Sequence, residues 1–256
     1  MSSSSRVQQQ PAFLLHQRPF RDTSLLLDVF SRDHGKLALV ARGARAQKSR
    51  LKPLLRPFMP LRLSWLLRSD LGTLTGAELD GQLQSLSGDA LMSGYYLNEL
   101  ILHLLHRHDP HPEIFEAYAQ TIGRLVSSND PAPSLRVFEI ELLKLLGYAP
   151  TFGHEAVSHD EIDPSAHYEF RAEQGAVKVG RDFGPMVFSG ATLIAIREHR
   201  FDDADVLRSA GRLLRNIIAH HLGGKELKSR KVLVDLHRSR AKMADPNEPV
   251  VEPASE

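Results

Sequence analysis

One short stretch of the sequence concentrates cationic side chains in a way that suits phosphate binding. The stretch is ARGARAQKSRLK, and it follows an alternating apolar segment, residues 36–41. Its five cations are Arg42, Arg45, Lys48, Arg50 and Lys52. Lysine and arginine displace the counterions condensed on a phosphate backbone, which gives salt-sensitive affinity with little sequence preference. The stretch therefore predicts a loop that binds single-stranded nucleic acid, and a solvated basic loop without a ligand is the alternative.

Formal charge is divided unevenly along the chain, although the total is only +1. Residues 1–68 hold thirteen Lys and Arg against three acids, a balance of about +10. Residues 69–200 hold nineteen acids against nine cations. After residue 200 the signs nearly balance, but a second, smaller basic patch groups Lys225, Lys228, Arg230 and Lys231. A basic first third and an acidic middle predict two surfaces with different partners.

Aromatic side chains are the other means of holding a single strand, because bases stack on them. The basic segment contains Phe13, Phe20, Phe30, Phe58 and Trp65. We expect most of these in the core, and Trp65 shares a strand face with Leu61 and Leu63. Phe20 lies beside Arg21 near a predicted turn and is the better candidate for base stacking.

Two further motifs invite a catalytic interpretation. Four histidines cluster near a predicted helix end, but no carboxylate or thiolate completes a metal-ligand set: His103, His106, His108 and His111. The sequence LGGK at residues 222–225 lacks the preceding strand, the spacing and the following Ser or Thr of a phosphate loop, so we expect its glycines to cap a helix. A metal-dependent nuclease stays open as an alternative on the histidines alone.

Several classes of protein are disfavoured by what the chain lacks. It has no cysteine, which removes disulfides, thiolate zinc sites and cysteine nucleophiles. We find no nucleophile elbow, HExxH motif or dinucleotide fingerprint. No secretory signal or membrane-length apolar run is present. We therefore predict a cytoplasmic protein that is not an enzyme and binds no metal or other cofactor.

The elements that must position the basic loop belong to an α+β fold. Residues 12–82 show five short, alternating strands separated by Gly and Pro, a pattern that predicts a small barrel of the OB type. Residues 83–242 show mainly helical periodicity, with helices predicted from residue 88, at 112–126, from 134 to Gly147, at 192–197, 204–222 and 228–238. An insertion at about 149–187 contains a predicted hairpin, and residues 1–11 and 243–256 are predicted to be a disordered leader and tail.

The chain resembles the bacterial recombination mediator family RecO. The resemblance rests on FLLHQRPFRDTSLLLDVFSRDHGKLALVARGAR with KSRLKPLLRPFMPL, on SGYYLNELI, on LRVFEIELLKLLGY and on LGGKELKSRKVL. It implies an OB-fold followed by a helical domain, and a protein that binds single- and double-stranded DNA and anneals complementary strands. It also implies action with RecR, in many bacteria with RecF, and contact with the tail of single-stranded DNA-binding protein, so that RecA is loaded onto covered strands.

The resemblance also assigns residues. Arg42, Arg45, Lys48, Arg50 and Lys52 correspond to the basic OB surface, with Arg18 and Arg21 as weaker members. From the charge pattern, and not from the resemblance, we add Lys225, Lys228 and Arg230 as further candidate DNA contacts. Arg136 in LRVFE corresponds to the basic residue for the partner's tail carboxylate. Many members carry a four-cysteine zinc site after LGY, whereas this chain reads APTFGHEAVSHDEID there, so we expect no zinc. An adaptor whose main partners are proteins is the alternative function.

Overall fold

The computed structural model describes residues 5–67, 70–82, 85–148, 152–171, 174–229 and 231–232. The strands in these parts are β1 (Ser5–Phe20), β2 (Ser24–Ser31), β3 (Gly35–Ala41), β4 (Leu61–Leu67), β5 (Leu71–Leu79), β6 (His167–Arg171), β7 (Gly175–Val179) and β8 (Val187–Ser189). The helices are α1 (Gly88–Leu104), α2 (Pro112–Ser127), α3 (Ala132–Leu145), α4 (Gly190–Arg197) and α5 (Ala204–His221). The predicted α+β class is confirmed.

The first five strands close into a barrel in the order β1-β2-β3-β5-β4. Strands β3 and β5 pair in parallel, and the other neighbours are antiparallel. Strand β1 pairs with two neighbours, because residues 12–20 lie against β2 and residues 5–12 against β4. Its register shifts between Leu14 and His16 and again between Val7 and Gln10, as a strand that bends around a small barrel requires.

The prediction of a disordered leader at residues 1–11 is wrong for residues 5–11, which form the first part of β1. Their polar side chains suggested disorder, but their order comes from backbone pairing with β4. The amide of Gln9 also donates to Oγ of Ser64 at 3.0 Å, and its side chain donates to Glu78. Residues 1–4 and the predicted tail at 243–256 lie outside the described residues, as does most of the helix predicted at 228–238.

Apolar side chains that alternate along the barrel strands fill its interior. Leu27 and Val29 of β2 and Leu37 and Leu39 of β3 are at most 2% exposed there. Trp65 belongs to the same interior cluster and is 1% exposed, with the ring of His34 packed edge-on against it. Since every second side chain points inward, the intervening residues of β2 and β3 form the outer face of the barrel.

The remaining elements form the helical part of the chain. Helices α1, α2, α3 and α5 share one apolar core, and the strands β7-β6-β8 form a small sheet beside α4. Strands β6 and β7 pair antiparallel within the insertion, where the sequence predicted a hairpin. The short third strand, β8, was not predicted from the sequence. Within the described residues, no helix is long and apolar enough to cross a lipid bilayer.

The barrel and the helical part meet in a close, apolar junction. Phe13 and Phe30 point outward from β1 and β2 and pack against Phe115 and Tyr118 of α2, with ring centroids 5.0–6.3 Å apart. Gly35 lies with φ of +64° where any Cβ would stand 2.1 Å from the carbonyl oxygen of Asp109. The amide of His108 donates to the carbonyl oxygen of Lys36 at 2.9 Å. These contacts fix the two parts against each other.

Candidate nucleic-acid interface and partner groove

The basic loop leaves the barrel at the end where the β1–β2 turn lies. Arg18 pairs with Leu26 across β1 and β2, and Leu26 pairs with Val40, so the end of β3 and the β1–β2 turn are neighbours. Residues 42–60 then follow in turns, and Ala44, Leu55 and Met59 of this loop are anchored in the barrel interior. The structure therefore brings Arg18, Arg21, Arg42 and Arg45 together at one end of the barrel.

Arg45 differs from the other cations of the loop. Its amide donates to the carbonyl oxygen of Thr23 at 2.9 Å, and its Nη1 lies 3.4 Å from the carbonyl oxygens of Arg21 and Asp22. These bonds tie the loop to the β1–β2 turn. Arg45 thus positions the loop in addition to carrying charge.

The predicted barrel cations are exposed and have no acidic partner among the described residues. They are Arg18, Arg21, Arg42, Arg45, Lys48, Arg50 and Lys52. Other cations of the barrel are engaged: Arg32 lies 3.0 Å from Glu116, and Arg62 lies 3.0 Å from Asp80. Cations without a protein partner leave their charge for a ligand. The structure thus separates a predominantly basic end of the barrel, where Asp22 is the acid of the β1–β2 turn, from sides on which charges are compensated.

The outer face of β1, β2 and β3 continues from this basic end. His16 and Arg18 of β1 point outward and are exposed, while Leu26 of β2 and Val40 of β3 are half-buried between them. Phe20, half-buried, is the next outward side chain of β1, and the guanidinium carbon of Arg21 lies 5.4 Å from its ring centroid. The other aromatic candidates are buried in the two cores. Of the five, Phe20 is therefore the one that a base could reach.

The second basic patch lies elsewhere, after α5. Gly223 and Gly224 have φ of +59° and +82° and end α5, as the sequence predicted. The carboxylate of Glu99 on α1 accepts hydrogen bonds from the amides of Lys228 and Ser229, each at 2.9 Å, and from the Ser229 hydroxyl. The side chains of Lys225 and Lys228 are exposed. Arg230 lies outside the described residues.

A groove of about 780 Å³ lies between α1, α3, α5 and the segment after α5. Its walls combine apolar side chains, including Leu135, Ile218 and Leu222, with cations. The cations are Arg136, Arg215, Lys225 and Lys231. The structure therefore places Arg136, predicted as a carboxylate contact, in a groove with Lys225 of the second patch, a relationship that the sequence did not indicate.

Arg136 is held by an internal acid. Its Nη2 donates to Oε1 of Glu139 at 2.7 Å, and the side chains are 14% and 1% exposed. The hydroxyl of Tyr96 donates to the same carboxylate oxygen at 2.5 Å. Nε of Arg136 is buried and has no hydrogen-bond partner among the described residues. The three-residue spacing of Arg136 and Glu139 on one helix could have predicted this pair, but our sequence analysis did not include it.

Neither the four histidines nor the described part of the insertion brings metal ligands together. Within the described parts of the chain, no group of three His, Cys, Asp or Glu side chains is placed to hold a metal ion. In the insertion, the carboxylate of Glu155 instead accepts hydrogen bonds from the amides of Val157, Ser158 and Lys178. These bonds hold the pKa of Glu155 below its ordinary value, the Ser158 amide acting most strongly. One carboxylate thus ties residues 155–158 to β7.

Comparison with known proteins matches each half of the chain to a family model. The family described as "Recombination protein O N terminal" matches residues 4–82, and "Recombination protein O C terminal" matches residues 85–231. DNA repair protein RecO of Aromatoleum aromaticum is 45% identical over 237 residues, which cover 92% of this chain and 99% of the relative. The RecO proteins of Dechloromonas aromatica and Nitrosococcus oceani are both 42% identical, over 92% and 91% of this chain and 99% and 95% of their own lengths.

Proposed function

Because the chain belongs to the recombination protein O family of DNA repair proteins, we propose that it is a non-enzymatic recombination mediator that binds DNA. In this proposal it binds single- and double-stranded DNA, anneals complementary strands and helps to load RecA onto DNA covered by single-stranded DNA-binding protein. It acts in the cytoplasm, at the nucleoid, with RecR and in some settings RecF.

The observation that carries the proposal is the cluster of exposed barrel cations without acidic partners among the described residues. We assign the barrel to the OB fold on its strand order, in which β1 pairs with β4 and β3 runs parallel to β5. OB folds bind oligonucleotides on the face of their second and third strands and on the loop between the first two. Here Arg21 lies in the β1–β2 loop, Arg42 directly follows β3, and Arg18 lies on β1 where it pairs with Leu26 of β2.

An oligonucleotide titration tests this function. Fluorescence anisotropy is measured for the wild type, for Arg42→Ala with Lys48→Ala, and for a matched control, Arg124→Ala with Lys144→Ala, which removes an exposed Arg and Lys of α2 and α3. We expect the first variant to bind about tenfold more weakly at low salt and the control to bind like the wild type. Equal affinity of all three proteins would reject the loop as the DNA site.

The second candidate function, a protein adaptor, is favoured by the groove. Apolar walls and several cations suit an acidic peptide that ends in a hydrophobic residue, and Arg136 would take its carboxylate. We propose that the tail of single-stranded DNA-binding protein binds here. A labelled tail peptide should lose most of its affinity for Arg136→Ala, while the affinity for an oligonucleotide stays unchanged.

Annealing of complementary oligonucleotides coated with the cognate single-stranded DNA-binding protein separates the two candidates. If DNA binding carries the function, the loop variant fails to anneal naked and coated strands alike. If the adaptor role dominates, Arg136→Ala fails only on coated strands, and the loop variant remains active on them.

A further inference from the structure

The junction between the barrel and the helical part brings an arginine and a histidine from separate elements near one acid. Arg107, just after α1, places Nη2 3.5 Å from Oδ1 of Asp28 on β2. His16, on the neighbouring strand, places Nδ1 3.7 Å from the other oxygen of the same carboxylate. The side chains of Arg107 and His16 are more than half exposed, whereas that of Asp28 is 20% exposed. Both side chains therefore face solvent, while the acid lies beneath them.

These side chains lie in the next row of the outer barrel face. His16 pairs with Asp28, and Asp28 with Ala38, two residues along each strand from the row of Arg18, Leu26 and Val40. Two residues of a strand span about 7 Å, comparable to the reach of adjacent nucleotides. Backbone pairing of Lys36 with Arg107 fixes Arg107 at this edge of the face.

Lys36, whose backbone pairs with Arg107, is held inside the junction. Burial lowers the pKa of Lys36 from its ordinary value, the charges of Arg107 and Lys225 lower it further, and Asp28 acts in the opposite direction. Nζ of Lys36 is itself held by the carbonyl oxygen of Leu102 at 2.5 Å, so Lys36 is a fixed internal charge. Lys36 is therefore engaged by the protein, whereas the side chain of Arg107 remains more than half exposed.

We propose that Arg107, with His16, extends the DNA surface at the basic end of the barrel into a nucleic-acid track along the outer face. A strand would leave the loop at residues 42–52, cross the outer face at Arg18 and His16 and reach Arg107. The half-buried Leu26 and Val40 supply an apolar floor to this face. The proposal rests on the DNA binding proposed above and adds a footprint that extends beyond the barrel, with the backbone phosphate as the group recognised.

Oligonucleotide length provides the test. Binding of two labelled oligothymidylates is compared. The shorter has about 6 nucleotides, within the span of about 4 to 16 that one OB barrel covers, and the longer has about 25. We expect Arg107→Ala to weaken binding of the longer strand about two- to fivefold and to reduce its salt slope by about 0.7, because one phosphate contact is lost. Binding of the shorter strand should not change, and Arg107→Lys should retain most of the affinity.

Two further variants keep the test independent of folding defects. Asp28→Asn removes the acid beneath the track, so we expect tighter binding of the longer strand, a gain that misfolding cannot produce. Arg124→Ala is the matched control, an exposed arginine of α2 with no ion-pair partner in the described residues.

The outcomes separate this inference from the proposed function. If Arg107→Ala resembles Arg124→Ala with the longer strand, or loses affinity for both lengths equally, the track is refuted while DNA binding at the loop stands. If the wild type binds neither oligonucleotide, the proposed function fails and the track fails with it.

Discussion

The hydroxyl of Tyr118 donates to Oδ1 of Asn98 at 2.6 Å, and Nδ2 of Asn98 donates to the carbonyl oxygen of Leu15 at 2.8 Å. The chain of bonds runs from α2 through α1 to β1. Tyr118 is fully buried, and burial raises the pKa of its hydroxyl far above the ordinary value. The hydroxyl therefore stays protonated and available as a donor at any physiological pH.

Tyr118→Phe should destabilise the folded chain. It removes the donor to a buried amide oxygen, and we expect a loss of about 1–3 kcal/mol in the free energy of unfolding, measured by urea denaturation. Tyr95→Phe is the control, because Tyr95 is 40% exposed, and its loss should stay within about 0.5 kcal/mol. Equal stability of the two variants would mean that the Tyr118–Asn98 bond contributes nothing to the junction.

Arg136→Ala should cost stability as well as tail binding. It leaves the buried carboxylate of Glu139 without the guanidinium, and we expect a loss of about 3 kcal/mol in the free energy of unfolding. Adding Glu139→Gln to Arg136→Ala should restore part of this loss, because the uncompensated charge is removed. A double-mutant cycle in urea measures the coupling, and purely additive effects would contradict the pair.

Phe20→Ala should weaken oligonucleotide binding in a different way from the loop variants. Loss of one stacked base corresponds to about 1–3 kcal/mol, and the salt dependence of binding should remain that of the wild type. Lys48→Ala should instead reduce the salt slope. Phe183→Ala, at a ring that is 72% exposed in the insertion, serves as the control and should leave binding unchanged.

Acid should loosen the insertion before the rest of the chain. The pKa of Glu155 is lowered in the folded state, so its contribution to stability is present above the unfolded value of about 4.3 and is lost as the pH falls through the lower folded value. Amide hydrogen exchange at Ser158 and Lys178 should therefore accelerate at acid pH, relative to amides of α2. Glu155→Gln should show faster exchange at neutral pH and little further change on acidification.

The sequence predicted the helices well, because the apolar spacing that marks a helix involves residues only three or four positions apart. The helix predicted at 112–126 is Pro112–Ser127 in the structure, and that at 204–222 is Ala204–His221. The first half of β1 could not be predicted in this way. Its Gln-rich side chains give no alternation, and its partner, β4, lies more than fifty residues along the chain.

The candidate site was predictable only in part for a similar reason. The density of charge in residues 42–52 is a local signal; the structure leaves its five cations exposed and places Arg42 and Arg45 beside the β1–β2 turn. Arg107 carries no local signal, since its position near Asp28 depends on how α1 packs against the barrel. The meeting of Lys225 with Arg136 in one groove likewise depends on the path of the chain after α5.

The missing side chain of Gly35 has a mechanical consequence. Its backbone lies so close to that of Asp109 that even an alanine at this position would force the barrel and the helical part to shift apart. A substitution here would therefore also change how the basic loop on the barrel is oriented relative to the Arg136 groove in the helical part.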